Sequence, residues 1–484
     1  MSIYNQDFIK RLRAITSDII TDEERLAVYE TDGLTAKKQL PGVVVIPDTI
    51  EQVQAITALC QSCEVPLVPR GAGTGLSGGA MPHHEGVLLV MARFNQILDV
   101  DTSLRTATVQ PGVTNLAISE AVTHLGLYYA PDPSSQIACT IGGNVAENSG
   151  GVHCLKYGLT VHNVKQLKIV LPGGELVVVG GKGYDTPGYD LLALMHGSEG
   201  MLGIVVEVLV QLLPKPPEVA VIMAAFSNVI DAANSVSGVI SAGLLPAGLE
   251  MMDKLAIQAA ESFVGAGYPE AAEAMLLCEL DGSLEELEEQ IESVRAVFES
   301  NGCITFTVAF DAVERQKLWL GRKAAFPAVG RIAPDYYCMD GTIPRRELAN
   351  VLQAITDLSQ KYELQVANVF HAADGNLHPL ILYDANNSDQ LTRAEAFGSE
   401  ILVLCIEKGG TITGEHGVGI EKINEMCLQF NRDELGIFHG IKNAFDHYGI
   451  LNPGKGIPTL SRCAEFGAMH VHAGEERFPH LDRF

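Results

Sequence analysis

Two histidines flank a turn signal in Val366-Ala-Asn-Val-Phe-His371-Ala-Ala-Asp374-Gly375-Asn376-Leu-His378-Pro-Leu-Ile-Leu-Tyr383. Asp-Gly between two β-like runs is the commonest two-residue hairpin signal. Pairing about Asp374 and Gly375 puts His371 directly opposite His378 on one face. Opposed Cβ atoms lie about 4.5–5.5 Å apart, close enough for both imidazoles to hold one metal ion. A third ligand is available in Gly409-Gly410-Thr-Ile-Thr-Gly414-Glu415-His416-Gly417-Val-Gly419. Glycines on both sides let that backbone bend and present Glu415 and His416. Two histidines plus a carboxylate, with one position open, form a catalytic metal arrangement. The same donors suit Fe(II) or Mn(II) as well as zinc. The competing reading is a structural hairpin with ordinary histidines. Arg322 lies in a helix-like stretch, Trp319-Leu-Gly-Arg322-Lys323-Ala-Ala-Phe326-Pro327. Its guanidinium fork suits a substrate carboxylate; the alternative is an exposed cation.

A second chemistry is written in glycine. Pro66-Leu-Val-Pro-Arg70-Gly71-Ala72-Gly73-Thr74-Gly75-Leu-Ser77-Gly78-Gly79 contains a G-x-G-x-x-G at Gly73, Gly75 and Gly78. A dinucleotide fingerprint must open a helix. This one runs into Ala80-Met81-Pro82-His83-His84-Glu85-Gly86 and then another strand-like run, so it fails that test. Successive N–H groups in such a turn still form a concave anion nest. Arg70 adds charge there, and Thr74 and Ser77 add hydroxyls. Two more stretches share this character: Pro131-Asp-Pro-Ser134-Ser through Thr140-Ile-Gly142-Gly143-Asn144-Val-Ala-Glu147-Asn148-Ser-Gly-Gly151, and Gly197-Ser-Glu199-Gly200-Met-Leu-Gly203-Ile204. Three such loops in one region suggest one large cofactor threaded among them.

The elements that must position these residues follow from pattern. GVVVIP, then TIEQVQAITALCQSC, then VPLVPR reads as strand, helix, strand, a parallel βαβ unit. Short strand-like pieces with turn signals follow and favour antiparallel pairing. Pro214-Lys-Pro-Pro217 stops the sheet, because proline cannot donate to a ladder. Beyond it, SLEELEEQIESVRAVFESNG reads as a helix with a serine start and Gly302 near its end, and ITFTVAF as a strand. Asn452-Pro-Gly-Lys-Gly456 closes the main body. The last residues, from Leu460, are rich in His and Phe without clear periodicity and are a candidate docking segment or a solvated tail.

The chain has 484 residues, 48 of them Gly, and a formal net charge of −26. That balance argues against general nucleic-acid binding, which needs clustered cations. An anionic substrate would then depend on local positive charge, from the metal and Arg322. No secretory signal or membrane-spanning run is visible. Ten scattered cysteines are poor material for a disulfide scaffold and fit a reducing cytoplasm. Cys60 and Cys63 read as half-buried helix thiols. No four-cysteine iron–sulfur run is present, so any cluster would come from another chain.

The motifs R-G-x-G-T-x-L-S-G-G, P-D-P-S-S-x-x-x-x-T-I-G-G-N-V-A-x-N-S-G-G, G-S-E-G-x-L-G-I-V and the closing Leu451-Asn452-Pro453-Gly454-Lys455 resemble the vanillyl-alcohol-oxidase, or PCMH-type, flavoproteins. H-x-x-D-G-N-x-H and G-E-H-G are similar to the FAD-dependent D-2-hydroxyacid dehydrogenase branch. The resemblance implies an α+β fold. It has a PCMH-type FAD-binding domain of two α+β subdomains, plus a cap domain with an antiparallel sheet and flanking helices. The expected ranges are 1–36 for a helical segment, 37–217 for the FAD domain, 218–450 for the substrate and metal cap, and 451–484 for an FAD-contacting segment and tail. It implies non-covalent FAD, with the pyrophosphate on Arg70, Gly71, Ala72, Gly73, Thr74, Gly75, Ser77, Gly78 and Gly79. Pro111, Gly112, Val113, Ser134, Gly142, Asn144, Asn148, Ile204 and Asn452 would line the rest. It implies His371, His378 and Glu415 as ligands to a divalent metal, usually zinc, His416 as base and Arg322 as carboxylate anchor. The implied reaction takes a small 2-hydroxy acid, glycolate first, to the 2-oxo acid, with hydride passing to FAD. D-lactate, D-2-hydroxyglutarate and a non-catalytic relay role are the alternatives. A second FAD-domain subunit and an iron–sulfur subunit are implied partners, with a cytoplasmic location, peripheral at the inner membrane face through them. Adjacent Glu415 and His416 would point apart in a regular strand, so this scheme requires irregular backbone there.

Overall fold

The computed structural model describes residues 6–183, 187–459 and 462–463. The chain forms two compact units. The first contains residues up to Gly150, Leu159–Pro214 and the stretch from Glu415; the second contains Gly151–Gly158 and Lys215–Gly414. The return to the first unit at Glu415 comes earlier than the expected boundary at 450, and the excursion 151–158 was not expected at all. The excursion is held by side chains: Lys156 and Tyr157 bond to Asp281, and His153 Nε2 lies 2.9 Å from Glu279 Oε1. The N-terminal helix Gln6–Ile15 is no separate segment, because Phe8 and Leu12 pack with Val43, Val53 and Leu67 in one core.

In the first unit, β1 (Ile19–Ile20), β2 (Val43–Val45), β3 (Leu67–Arg70) and β4 (Val87–Val90) form a sheet of order β1-β2-β4-β3. β2 and β3 both run parallel to β4. The helix Ile50–Ser62 connects β2 to β3, with Thr49 accepting from the Gln52 N–H at its start. This is the βαβ unit the sequence predicts. β5 (Ile97–Asp101), β6 (Thr106–Val109), β8 (Val164–Val170), β9 (Leu176–Gly180) and β10 (Ile204–Gln211) form an antiparallel sheet. β7 (Leu127–Tyr128) and β11 (Leu213–Pro214) make a short pair where the sheet ends. Apolar side chains of this second sheet, among them Val109, Leu167, Ile169 and Val208, form their own core.

The second unit is built on one seven-stranded sheet of order β15-β12-β14-β13-β17-β18-β16, every pairing antiparallel. Its strands are β12 (Glu218–Phe226), β13 (Gly248–Asp253), β14 (Ala274–Gly282), β15 (Cys303–Ala309), β16 (Asp335–Cys338), β17 (Val366–His371) and β18 (Asn376–Tyr383). The predicted helix appears as Leu284–Ser300, capped by Ser283 and Glu286 in a reciprocal pair.

The β17–β18 register departs from the two-residue turn. His371 pairs with Asn376, and His378 pairs with Val369. The loop is Ala372–Gly375. The Asp374 side chain takes the Asn376 N–H at 3.0 Å, and Ile343 N donates to Gly375 O at 3.0 Å. Ala373 N donates to Leu249 O at 3.1 Å. These outside anchors hold a wider loop than Asp-Gly alone would close. Side chains alternate with period two, so a register change of two leaves both histidines on the same face.

Among the described residues no helix is long and apolar enough to cross a membrane. Cys427 and Cys463 are joined by a disulfide, a single pair that the cysteine spacing did not indicate. Cys60 is buried and Cys63 exposed, both as free thiols. The His- and Phe-rich tail beyond Cys463 lies outside the described residues.

Candidate functional site

One face of the second unit's sheet carries His371 and His378. β13 pairs with β17 through Met251–Phe370 and Met252–Val369. Continuing that register by one residue brings Glu250 beside His371. Glu250 Oε1 lies 2.8 Å from His371 Nδ1. The His371 and His378 ring centroids are 4.9 Å apart and nearly perpendicular. Both histidines are buried. His378 Nδ1 lies 3.4 Å from Met339 O. A carboxylate or carbonyl only accepts, so each ring donates from Nδ1, and a neutral ring then carries its lone pair on Nε2. That is the nitrogen a metal would take, and the pair of rings fits a divalent ion on chemical grounds.

Arg322 is delivered to the same face by the helix Ala312–Lys323, which Asp311 caps. The helix sits close at Gly321, where a Cβ would lie 2.5 Å from the Tyr268 hydroxyl. Arg322 is 2 % exposed and lies 2.6 Å from Glu250 Oε2 through Nη2. It is therefore a buried, paired cation and not an exposed one. Its Nε and Nη2, the edge that suits a carboxylate, have no hydrogen-bond partner of good geometry. Burial pushes the Glu250 carboxyl up, but His371 and Arg322 together outweigh it and hold it below its ordinary value. One turn earlier, Trp319 Nε1 donates to Glu279 Oε2 at 2.6 Å.

Glu415 and His416 open the stretch that rejoins the first unit. Gly414, the residue before them, donates its N–H to Asp340 O at 2.8 Å and packs on Asn376, where a Cβ would meet that side chain at 2.6 Å. Glu415 Oε2 accepts from Gly150 N at 3.1 Å, and its Oε1 lies 3.9 Å from His416 Nε2. The backbone here is no strand, and Gly417 and Gly419 have φ of +80° and +52°. The irregularity that adjacent Glu415 and His416 require is present.

The glycine-rich loop lies wholly in the first unit. β3 leads through Gly71–Gly79 to β4 with no helix between them. Among the described residues no backbone N–H from Gly71 to Gly79 donates to a protein group, although the Ser77, Gly78 and Gly79 carbonyls all accept. The buried Ser77 Oγ and Thr140 Oγ1 likewise have no partner. A row of unspent donors fits an anionic ligand such as a pyrophosphate. A Cβ on Gly71 would lie 2.3 Å from Thr140 Oγ1, and one on Gly142 2.6 Å from Pro111 Cβ. Gly142 N and Ile141 N donate to Pro111 O and Val113 O, both at 2.9 Å. The loops around Gly71, Gly112 and Gly142 are thus packed backbone to backbone. Ala72 is exposed, Arg70 is buried, and Ile204 is the buried first residue of β10. Ser134 is exposed on the neighbouring turn.

Asn144 and Asn148 hold this region together. Asn144 engages Asn115, Cys139 and Ser149, and Asn148, at φ +54°, accepts from Val161 N at 2.9 Å. Asn452 donates to Gly79 O and Glu199 O at 2.9 and 2.7 Å, and Lys455 also reaches Gly79 O at 2.9 Å.

Sequence reasoning missed Glu250, which is the only charge in the run Gly248–Met252 of an otherwise apolar strand. It also missed Glu147, the last residue of the helix Ile141–Glu147, and Glu199 on a turn, which converge on Gly79; a Cβ there would lie 2.7 and 3.5 Å from their oxygens. Burial pushes both carboxyls up, and the Glu199 charge adds to the rise at Glu147. Glutamate within glycine-rich loops was the available signal.

A two-sheet unit with unspent backbone donors in its glycine-rich loop and a second unit on one antiparallel sheet is a fold that solved structures share. Solved structures with the same fold include p-cresol methylhydroxylase with substrate bound, at TM-score 0.79, 17% identity, 94% of this chain and 97% of that one. Another is alkyldihydroxyacetonephosphate synthase, at TM-score 0.74, 17% identity, 93% and 86%. Two family profiles match: the FAD binding domain over residues 41–180 and the C-terminal domain of FAD linked oxidases over 215–456. The chain belongs to the FAD-linked oxidases of the PCMH-type flavoprotein superfamily and is an FAD-linked oxidoreductase. It is 60% identical to the glycolate oxidase subunit GlcD of Escherichia coli K12, over 96% of this chain and 94% of the relative. Identity to GlcD of Bacillus subtilis is 41%, over 88% and 91%. Identity to a D-lactate dehydrogenase of Anaerostipes hadrus is 33%, over 92% and 94%.

Proposed function

We propose that this chain oxidises a small 2-hydroxy acid, glycolate first, to the corresponding 2-oxo acid. The observation that carries the reading is the buried cluster of Glu250, Arg322, His371 and His378 on one sheet face. It offers two imidazole lone pairs beside a guanidinium, the set an α-hydroxy carboxylate requires. The match to relatives named glycolate oxidase subunits supports the choice of acid.

FAD, held without a covalent bond by the loops around Arg70–Gly79, Pro111–Val113, Ser134, Gly142–Asn148, Ile204 and Asn452, supplies the two-electron acceptor for the α-hydrogen. A divalent ion, zinc in this reading, held by His371, His378 and Glu415 supplies Lewis acidity toward the substrate oxygens. Arg322 binds the carboxylate and fixes which face of the acid is presented. The imidazole of His416 accepts the hydroxyl proton as general base. The word subunit in the relatives' names supports operation within a larger assembly that passes the electrons on. A D-lactate dehydrogenase among the relatives makes D-lactate the second substrate to try.

The test is anaerobic stopped-flow reduction of the flavin in the purified chain over a panel of 2-hydroxy acids, with metal analysis of the same sample. Fast bleaching by glycolate is expected. Bleaching by none of the acids would sink the reading.

A further inference from the structure

We infer that Glu250 is a positioning residue that couples the proposed metal ligand His371 to the proposed substrate anchor Arg322, and that it deepens the functional reading above, on which it rests. Its two oxygens are divided between the two roles. Oε1 lies 2.8 Å from His371 Nδ1 as a hydrogen bond, and Oε2 forms an ion pair with Arg322 Nη2 at 2.6 Å. Glu250 is 1 % exposed and Arg322 2 %, so no water competes for either bond.

The first contact fixes the ring: Glu250 Oε1 holds His371 by its Nδ1, so Nε2 is the nitrogen this proposal assigns to the metal. Outer carboxylates of this kind orient ligating imidazoles, and their loss costs about 10–100-fold in metal affinity. The second bond fixes a cation. Arg322 lies in the last turn of a helix whose approach is set by Gly321 on Tyr268, and Glu250 then pairs its charge at Nη2. The pair is neutral overall, so the anion-binding power of this face depends on how the charge of Arg322 is shared. Binding of the 2-hydroxy acid and retention of the metal therefore respond to the same carboxylate.

The same sheet face carries a matched control. Glu279 on β14 also divides its oxygens, between His153 Nε2 at 2.9 Å and Trp319 Nε1 at 2.6 Å. Its histidine belongs to the excursion 151–158 and has no part in the proposed site.

The experiment uses the FAD-loaded full chain, stripped of metal and titrated with Zn²⁺ against a chromophoric chelator. KM and kcat for glycolate are measured in parallel with an artificial acceptor. Glu250→Gln is expected to weaken zinc binding about 10–100-fold and to raise KM more than it lowers kcat. Glu279→Gln is expected to leave zinc affinity at the wild-type value. Arg322→Lys is expected to raise KM while leaving zinc affinity within about twofold, which separates the two arms. Glu250→Asp keeps the charge but is one methylene shorter and cannot reach both partners. It is expected to lie between Gln and wild type, and it carries the test if Glu250→Gln does not fold. Wild-type zinc affinity in a folded Glu250 variant, or equal losses in Glu279→Gln, overturns the inference alone. A wild-type chain that binds no zinc and is reduced by no 2-hydroxy acid overturns the functional reading, and this inference with it.

Discussion

Replacing Gly375 by alanine should damage the histidine hairpin far more than the same change at Gly243. Both glycines have left-handed backbones, with φ of +83° and +77°. An L side chain pays about 1–2 kcal/mol for that conformation. At Gly243 nothing lies within 4 Å of an added Cβ, so this is the whole cost. At Gly375 the Cβ would lie 2.1 Å from the Ile343 carbonyl oxygen. Relief needs more than an ångström of backbone movement, yet Ile343 N is itself bonded to Gly375 O at 3.0 Å. Overpacking of this kind costs about 1–3 kcal/mol, and the lost hydrogen bond about another 1. Gly375→Ala should therefore exceed Gly243→Ala by roughly 2–4 kcal/mol on these terms. Urea unfolding followed by fluorescence of Trp319, the single tryptophan, reads the unit that holds both sites. Zinc stoichiometry on the same samples should fall for Gly375→Ala only. Equal destabilisation by the two variants would refute the claim that the loop 372–375 is sterically locked.

Three further outcomes follow from buried groups. Burial pushes the Lys455 amine down to about 8 from 10.5. The unfolded chain then binds more protons between those values, so this residue makes stability rise from pH 8 to 10.5; Lys455→Met should flatten that rise in urea titrations. Burial holds the Glu147 carboxyl well above its ordinary value, with Glu199 adding to the effect. The folded state therefore keeps a proton that the unfolded state gives up, and stability falls as pH rises through the ordinary carboxylate range. Glu147→Gln should remove that loss and gain about 1 kcal/mol at pH 8 if packing is kept. Thiol titration of the denatured, unreduced chain should find eight free cysteines of ten, and all ten after reduction.

The strands around the glycine-rich loop were legible because apolar runs such as Val43–Val45 and Val87–Val90 alternate with turn residues. The two histidines were placed on the correct face with the wrong register. Asp374-Gly375 does mark the turn, but Ile343 and Leu249 hold the loop open from distant parts of the chain. No local pattern encodes that. Glu250 was illegible for a related reason. Its meaning comes from the neighbouring strand β17 and from the helix that carries Arg322. The excursion 151–158 is too short to carry a periodicity, and its attachment to Glu279 and Asp281 is tertiary. Pairing of Cys427 with Cys463 could not be read from spacing either. Resemblance supplied most of the cofactor positions. The structure adds that Asn144 and Asn148 bond within the protein, which makes them shape the loop.

The most direct test of the account is anaerobic flavin reduction by glycolate in the full chain before and after metal removal. The account predicts bleaching in the zinc-loaded wild type, its loss on chelation, its return on adding zinc, and no reduction in His371→Ala under any of these conditions. Reduction that survives chelation and persists in His371→Ala would contradict it.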